Sequence, residues 1–589
     1  MPHQRPSGIR LKEQPTAEEA ASLAAELDLP QGVAILAWQR GILDKDAWRR
    51  FTDLDPAADL IDPRLLPDMD KAVERLQLAL ERGESLLVHG DYDADGLTGT
   101  AILIRAFRGL GMDARPFTPT RDKDGYGLSR RALENMAEKR IPLLVSVDCG
   151  SSDSELIGEF AGRGIESIIT DHHLAGELPE ALAFVSTQRP SSEYPHSNLS
   201  GSAIAYKLAH AFYKKLGRKL EPECWLDFAA LGTVGDVMPL VGENRCIVAG
   251  GLREIARRMT ARKGCDQWGH PAWKALAGRS GLRIGEVSAS DLAFRIAPRL
   301  NAAGRISDPR LALDILLTDD EAEADRLARE LDQINIHRQS LEARLTIEAR
   351  EQATAQVKAA KAESGGLGIL VLAGKNWHPG LVGISSARMV DEFGVPAILL
   401  SLDENGAALG SGRGVEGLDL KSLLDGVEEE LDRYGGHQRA VGLAVKPGRL
   451  DAFREKLQAL LPVSPIPTPL TADLAIEPEV ADRGFLDSLE KLGPFGEANP
   501  EPRILMRGVL PTGYREIRDS HFKLQFETPA GERFEAIAFN GAARFVPRFE
   551  KGVESDLLIR LGRDTFRRAP GEYGVSFMLE EFLPLEVSS

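Results

Sequence analysis

Short apolar runs alternate with amphipathic stretches through the first half of the chain. From Asp68 to Arg82, Met69, Val73, Leu76 and Leu80 recur at helical spacing. Ser85–His89 then reads as a buried strand, Leu97–Leu110 as a helix, Ile141–Val147 as a strand, Ser154–Arg163 as a helix and Ile165–Thr170 as a strand. This alternation predicts a parallel sheet of βαβ units, with ligands expected at the carboxyl ends of its strands. Residues 310–362 are rich in Ala, Leu, Glu, Arg and Gln and predict one or two long helices. A second α/β pattern follows, with strands at Gly368–Ala373 and Pro396–Leu400 and a helix between them. Pro462–Pro469 reads as a stiff linker and Ala481–Lys491 as a helix. The alternating His521–Phe526 and Phe534–Phe539 read as strands of a small OB-like β domain. Roughly the first 60 residues read as short helices broken by Pro and Asp, and they carry no motif.

Composition narrows the class. A chain of 589 residues is well past the roughly 250–300 at which one core stops growing, so several domains are expected. Met1–Glu19 is polar, with no apolar stretch and cleavage site, and no apolar run approaches the roughly 18 residues of a membrane span. Cys149, Cys224, Cys246 and Cys265 are scattered without metal-binding spacing, which suits a reducing cytoplasm and argues against a zinc ribbon. The net charge of −17 disfavours non-specific coating of nucleic acid, which depends on Lys and Arg. It leaves a nuclease open, because metal ions and a local basic groove can supply positive charge.

The candidate chemistry sits where predicted strands end. His89-Gly-Asp91-Tyr-Asp93-Ala-Asp95-Gly96 gathers three carboxylates in one turn, which repel unless a cation compensates them. A calcium loop counted from Asp91 needs Glu at its twelfth position, and Ile102 stands there. Ser146-Val-Asp148-Cys-Gly150 and Thr170-Asp171-His172-His173 follow two further strands, and Gly235-Asp236-Val237 puts another acid in an apolar, Gly-rich context. A solvated turn, a helix cap and a pair of exposed loop histidines are the bland readings of these motifs taken singly. Asp93, Asp95, Asp148, His172 and Asp236, with Asp91 or His89 nearby, form an oxygen-and-nitrogen set without thiolate, suited to Mn²⁺ or Mg²⁺. Two such ions are the usual arrangement for phosphodiester hydrolysis. No Gly-x-Ser-x-Gly elbow and no Walker loop is present.

Asp-Tyr-Asp-Ala-Asp-Gly, Val-Asp-Cys-Gly, Asp-His-His and Gly-Asp-Val, in this order, resemble the DHH phosphoesterase superfamily. Ile296–Arg305, Trp377–Ile384, Gly410–Arg413 and Tyr434–Gly442 resemble the motifs of the RecJ family within it, the last being the Gly-Gly-His element of a DHHA1 domain. The similarity runs from about residue 65 to near the end. It implies an α/β fold of two lobes joined by a long helix, plus a C-terminal OB-like barrel. The expected division is an N-terminal helical segment (1–65), a DHH domain (66–310), a connecting helix (311–362), a DHHA1 domain (363–461) and the OB-like domain (462–589).

The resemblance further implies a 5′→3′ exonuclease that degrades single-stranded DNA to 5′-mononucleotides in repair and recombination, using two Mn²⁺ or Mg²⁺ ions. The alternatives are a DHH enzyme acting on short oligonucleotides or cyclic dinucleotides, and a non-catalytic DNA-binding scaffold. By resemblance Asp91, Asp93, Asp95, Asp148, His172 and Asp236 hold metal, His173 meets the substrate phosphate, and Asp171 orients a ring. Arg121, Ser411 and Arg413 are expected at the 5′-phosphate, and the Gly410–Gly414 loop independently offers phosphate donors. His378 and His437 join them as candidate substrate residues. Arg299, Asn301 and Arg305 could grip the DNA backbone or make an interdomain contact. Tyr126 and Trp377 could stack on bases, although packing is the commoner role; Phe522, Phe526 and Phe539 read as core rather than base platform. Single-stranded DNA, a single-strand-binding protein and a helicase are the expected partners, in the cytoplasm and without a membrane.

Overall fold

The computed structural model describes residues 9–585, except positions 122, 175, 261–269, 364–366, 405, 462–469, 518–520, 529 and 565–571. The proposed linker Pro462–Pro469 and Cys265 lie outside the described residues.

Five parallel strands form the first sheet: β1 (Leu86–Gly90), β2 (Ala114–Phe117), β3 (Leu143–Val147), β4 (Glu166–Thr170) and β5 (Ala183–Val185), in the order β2-β1-β3-β4-β5. Every residue of β1 and β3 is buried, which is why both read as unbroken apolar runs. Alternate residues feed two cores. Leu86, Val88, Leu143, Val145 and Val147 join one, while Leu87 and Leu144 pack with Leu133, Met136 and Phe160 in the other. The chain winds outward in both directions from the β1–β3 pair. Their carboxyl ends therefore flank the crevice where open α/β sheets bind ligands.

Helix α1 (Ala94–Gly109) follows β1 and lies on one face beside α2 (Gly201–Lys215) and α3 (Leu226–Gly235). Gly99 permits this, since a Cβ there would stand 2.6 Å from Val147 and 3.0 Å from the Ser202 backbone. Further along the chain, helix α4 (Ala297–Ile306) is preceded by a π-helical turn at Leu292–Ile296. Pro298 has no N–H for the carbonyl of Phe294 and would collide with it in a regular helix, so the turn widens. Helix α5 (Glu321–Glu363) runs 43 residues, packs on the first lobe through α4 and reaches the second lobe.

The second lobe carries a five-stranded mixed sheet: β6 (Leu370–Gly374), β7 (Ala397–Leu402), β8 (Ala408–Arg413), β9 (Leu431–His437) and β10 (Ala440–Val445), in the order β9-β10-β8-β7-β6. Helix α6 (Val382–Phe393) joins β6 to β7, which pair in parallel. The C-terminal domain is a closed five-stranded barrel of β11 (Ile504–Ile517), β12 (His521–Glu527), β13 (Arg533–Ala538), β14 (Ser555–Asp564) and β15 (Gly574–Pro584). Neighbours run β11-β12-β13-β15-β14, and β14 pairs back onto β11. Phe522 and Phe526 are fully buried inside it, whereas Phe539 is exposed.

The N-terminal helices do not stand apart. Leu27, Val33, Leu36 and Ala37 share one core with Phe485, Leu489, Ile504 and Phe522 of the C-terminal domain, and Ile9–Leu11 pairs in parallel with Leu470–Ala472. Arg245 ties this composite domain to the first lobe. Its guanidinium donates to the carbonyls of Phe51 (3.2 Å), Leu492 (3.1 Å) and Gly493, and lies 3.6 Å over the Phe51 ring. Arg245→Ala leaves three carbonyls without that donor, so a loss of about 3 kcal/mol is expected. Thermal melting and earlier proteolytic release of the C-terminal domain check it.

Candidate active site

Strand-to-helix junctions and one helix end build the site. After β1 the chain turns through Asp91 and Tyr92 into α1, whose N-cap is Asp93; its Oδ1 accepts from the N–H groups of Asp95 (2.9 Å) and Gly96 (3.2 Å). A side chain at position 96 would stand 2.6 Å from the Asp91 backbone, so the turn closes only with glycine. Asp95 is fully buried, and its two oxygens accept from Gly201 N–H (2.6 Å) and Ser202 N–H (3.0 Å) at the start of α2. A helix N-terminus suits a carboxylate.

Asp148, directly after β3, adopts φ 61°, a left-handed conformation that Asp tolerates better than most residues. Asp171 follows β4 and organises its neighbours. Its oxygens accept from Ser151 N–H (2.9 Å), His172 N–H (2.7 Å) and His173 N–H (3.2 Å), and its Oδ1 lies 2.8 Å from His173 Nδ1. Asp236 is the C-cap of α3.

Among the described residues, three sets of ligand atoms lie within 4.8 Å of one another: Asp91, Asp93 and Asp148; Asp95, His172 and Asp236; and Asp148, His172 and His173. The sets share Asp148 and His172, so they form one centre. His172 Nε2 stands 3.0 Å from Asp148, 3.4 Å from Asp236 and 3.9 Å from Asp95.

Burial, then repulsion from neighbouring carboxylates, pushes the carboxyls of Asp91, Asp148 and Asp236 well above their usual range, and raises Asp93 as well. Burial holds His172 down. Burial opposes charge on His173 too, but the hydrogen bond and charge of Asp171 more than offset it and lift the imidazole to about 9. The same pair draws Asp171 down to about 2 against the cost of burial.

These residues fit divalent cations. The buried atoms Asp91 Oδ1, Asp148 Oδ1 and His172 Nε2 have no hydrogen-bond partner, and all three belong to the converging sets. Buried polar atoms are rarely left so. The donors are carboxylate oxygens and imidazole nitrogens, the set that suits Mn²⁺ or Mg²⁺.

A cleft of about 960 Å³ opens beside this centre, walled by both lobes. Tyr92, Arg121, Tyr126 and Arg305 line it from the first lobe, and His378, Ser411, Arg433 and Tyr434 from the second. Arg413 stands behind Ser411, its Nη1 donating to Gly412 O (2.9 Å). Burial and the charge of Arg121 both depress Arg305, so the two guanidiniums concentrate positive charge without a full counter-charge.

Other sequence candidates stand elsewhere. Arg299 takes a structural role. It donates to Asp332 of α5 (3.0 Å) and to the carbonyls of Arg295 (2.5 Å) and Arg279 (3.0 Å), and it does not line the cleft. The Asn301 Oδ1 accepts from Ala94 N–H at 2.7 Å. His437 is exposed at the end of β9, outside the cleft lining. His89 is not part of the metal set. Its imidazole is fully buried, stacks on Phe117 and accepts from Ser129 N–H (3.2 Å), and burial holds it down to about 4. The Tyr126 hydroxyl lies 3.1 Å from the His173 ring, while Trp377 is buried and donates to Glu348.

Sequence reasoning missed the cradle around Asp95. A Cβ on Gly232 would stand 2.4 Å from Asp95 Oδ1, 2.1 Å from Ser202 Oγ and 2.6 Å from Thr98 Oγ1. Ser200-Gly201 was a readable N-cap, since the Ser200 hydroxyl accepts from Ala203 N–H, but nothing in the pattern connected it to Asp95. Gly232→Ala is expected to displace Asp95 and cut turnover by about tenfold or more. Steady-state kinetics at several Mn²⁺ concentrations checks it.

Comparison with known proteins agrees with this geometry. Residues 85–233 match the DHH family N-terminal domain, residues 366–462 the DHHA1 domain and residues 472–571 the RecJ OB domain. The single-stranded-DNA-specific exonuclease RecJ of Dickeya dadantii is 33% identical over 605 residues, covering 98% of this chain and 99% of that protein. The Bacillus subtilis RecJ is 32% identical over 542 residues, covering 90% of this chain; the chain spans 65% of that relative's length. The crystal structure of Thermus thermophilus RecJ in complex with Mn²⁺ superposes with a TM-score of 0.79 at 29% identity, covering 98% of this chain and 80% of that one. A second structure of that protein holds Mg²⁺. Near-full-length identity, three domain matches in order and the convergent acid–imidazole centre together place this chain in the RecJ family of single-stranded-DNA-specific exonucleases.

Proposed function

We propose that this chain removes 5′-mononucleotides stepwise from the 5′ end of single-stranded DNA, with two divalent ions, Mn²⁺ or Mg²⁺, in the centre. The observation that carries the reading is the overlap of three ligand sets beside a cleft with basic walls. Asp91, Asp93 and Asp148 would hold one ion and Asp95, His172 and Asp236 the other, with Asp148 and His172 between them. Bound there, the ions would supply a nucleophile from water and neutralise charge on the phosphate.

The chain's own residues do the rest. Arg121, Arg305 and Ser411 receive the terminal phosphate, with Arg413 at the end of the same strand as Ser411 and His378 on the same lobe. His173, whose Nδ1 is paired with Asp171, donates a hydrogen bond from its other ring nitrogen to the phosphate oxygen that gains charge. Tyr126 and Tyr92 offer faces for the terminal bases. The barrel holds the strand beyond the cleft. This division of labour follows the partition into residues 1–65, 66–310, 311–362, 363–461 and 462–589. The family suggests repair and recombination in the cytoplasm, alongside a single-strand-binding protein and a helicase. No described helix is long and apolar enough to cross a membrane.

The test is digestion of single strands labelled at either end, with Mn²⁺ and with chelator. Early release of the 5′ label as a mononucleotide, only with metal, is expected. Early release of the 3′ label would reverse the polarity. Cleavage confined to dinucleotides would favour a small-substrate phosphodiesterase, and tight binding without cleavage a scaffold.

A further inference from the structure

Helix α4 carries Arg299, Asn301 and Arg305, read from the sequence as a grip on the DNA backbone or an interdomain contact, and its contacts run to the metal-binding turn. Asn301 Oδ1 accepts from the N–H of Ala94, the first residue of α1, at 2.7 Å. One turn on, Gly304 lies against Tyr92, where a Cβ would stand 2.6 Å from the Tyr92 carbonyl. Arg305 then reaches the other lobe, its Nη1 donating to Gly380 O at 3.2 Å. The helix thus clamps the segment Tyr92–Ala94 from one side and is itself braced against the second lobe.

We infer that Asn301 is a positioning residue for the metal centre: it takes the Ala94 N–H and so leaves the Asp93 carboxylate to the cation. Helix N-termini carry several unpaired N–H groups. Asp93 already caps two of them, Asp95 and Gly96, through Oδ1. Its carboxylate must also stand with Asp91 and Asp148 in one ligand set. Ala94 N–H is a third donor beside it. Without Asn301 that donor competes for Asp93 and draws charge away from the ion. An asparagine does this task without adding charge to a centre already crowded with carboxylates.

This inference rests on the metal-centred reading above, and the experiment separates the two. Mn²⁺ is titrated into the full chain while thermal melting is followed, and cleavage of single-stranded DNA is measured across Mn²⁺ and DNA concentrations. Wild-type melting that ignores Mn²⁺ would sink the metal reading itself. Given a wild-type response, Asn301→Ala is expected to raise the Mn²⁺ midpoint about tenfold. Its kcat should fall at limiting Mn²⁺ and recover at saturating Mn²⁺, with KM for DNA unchanged. Asn301→Asp keeps the acceptor in place and adds a negative charge beside the cations, so its Mn²⁺ midpoint should return to the wild-type value or fall below it. An unchanged midpoint with a raised KM for DNA would make Asn301 a strand contact, and failure of Asp to rescue would remove the acceptor argument. Should Asn301→Ala not melt cooperatively in chelator, Gly304→Ala carries the same test by pressing on Tyr92, with the same midpoint shift expected and no shift overturning the inference.

Discussion

Asp148→Asn is expected to abolish cleavage while raising the melting temperature of the metal-free protein. Asp148 is buried, its Oδ1 has no hydrogen-bond partner, and Asp95, Asp93, Asp236 and Asp91 all repel its charge. Asparagine keeps the shape and tolerates the left-handed backbone at this position. It removes the charge that burial and those neighbours penalise, so the folded state without metal gains. Asp148 joins two of the three ligand sets, so the loss for turnover is greater than that for a residue which only orients a ligand. Losing such an outer partner costs roughly 10–100-fold; here a fall of about a thousandfold or more is expected. The checks are a chelator melt and a single-turnover assay. A variant that cleaves within tenfold of wild type, or melts lower in chelator, contradicts the assignment.

The stabilisation conferred by Mn²⁺ is expected to grow as pH rises from about 6.5 to 8.5, the window above ordinary histidine titration. Without metal, Asp91, Asp148 and Asp236 have folded-state values well above those of the unfolded chain, and His173 sits at about 9. A raised group contributes stability that is complete below its unfolded value and is lost as pH climbs through its folded value. The chelated protein therefore weakens with rising pH. Bound cations reverse the sign for the carboxylates, because protons compete with metal for the same oxygens. At a free Mn²⁺ concentration about a hundred times the dissociation constant, one site adds about 2.7 kcal/mol, or some 5–10 °C in Tm for domains of this size. Melting with and without Mn²⁺ across the window reads the difference. An increment independent of pH would mean that no proton leaves the carboxylates when the metal binds in this window.

Much of the architecture was legible in the linear pattern. β1, β3 and β4 begin and end within about two residues of the apolar runs that announced them, because strands buried on both faces leave no polar alternation to confuse. The barrel strands His521–Glu527 and Arg533–Ala538 showed themselves by two-residue alternation, since one face packs inward and the other meets solvent. The long helix was visible as composition without breakers. The partnership of the N-terminal helices with the C-terminal domain was not legible. Amphipathic helices announce an apolar face but not which surface covers it.

The site divides along the same line. Asp91, Asp93, Asp95, Asp148, His172, His173 and Asp236 could be chosen because several acids and two adjacent imidazoles fall at the ends of successive strands and match one family's motifs, and the structure brings all seven together. His89, read as a neighbour of the set, lies within β1 and is buried against Phe117 and Ser129, whereas the ligating acids stand past strand or helix ends.

The sequence alone determined the chemical inventory: which ligating atoms exist, which strand ends carry them and which family's spacing they share. Only the tertiary structure decided which of those atoms share a cation. It alone showed that Gly201, Ser202 and Gly232 cradle Asp95, that Arg299 braces α5, and that Asn301 serves the metal turn. The reason is range. Strand and helix patterns follow from neighbours a few residues apart, whereas the donors that orient the buried Asp95 carboxylate come from a segment more than a hundred residues away, joined only when the cores have packed.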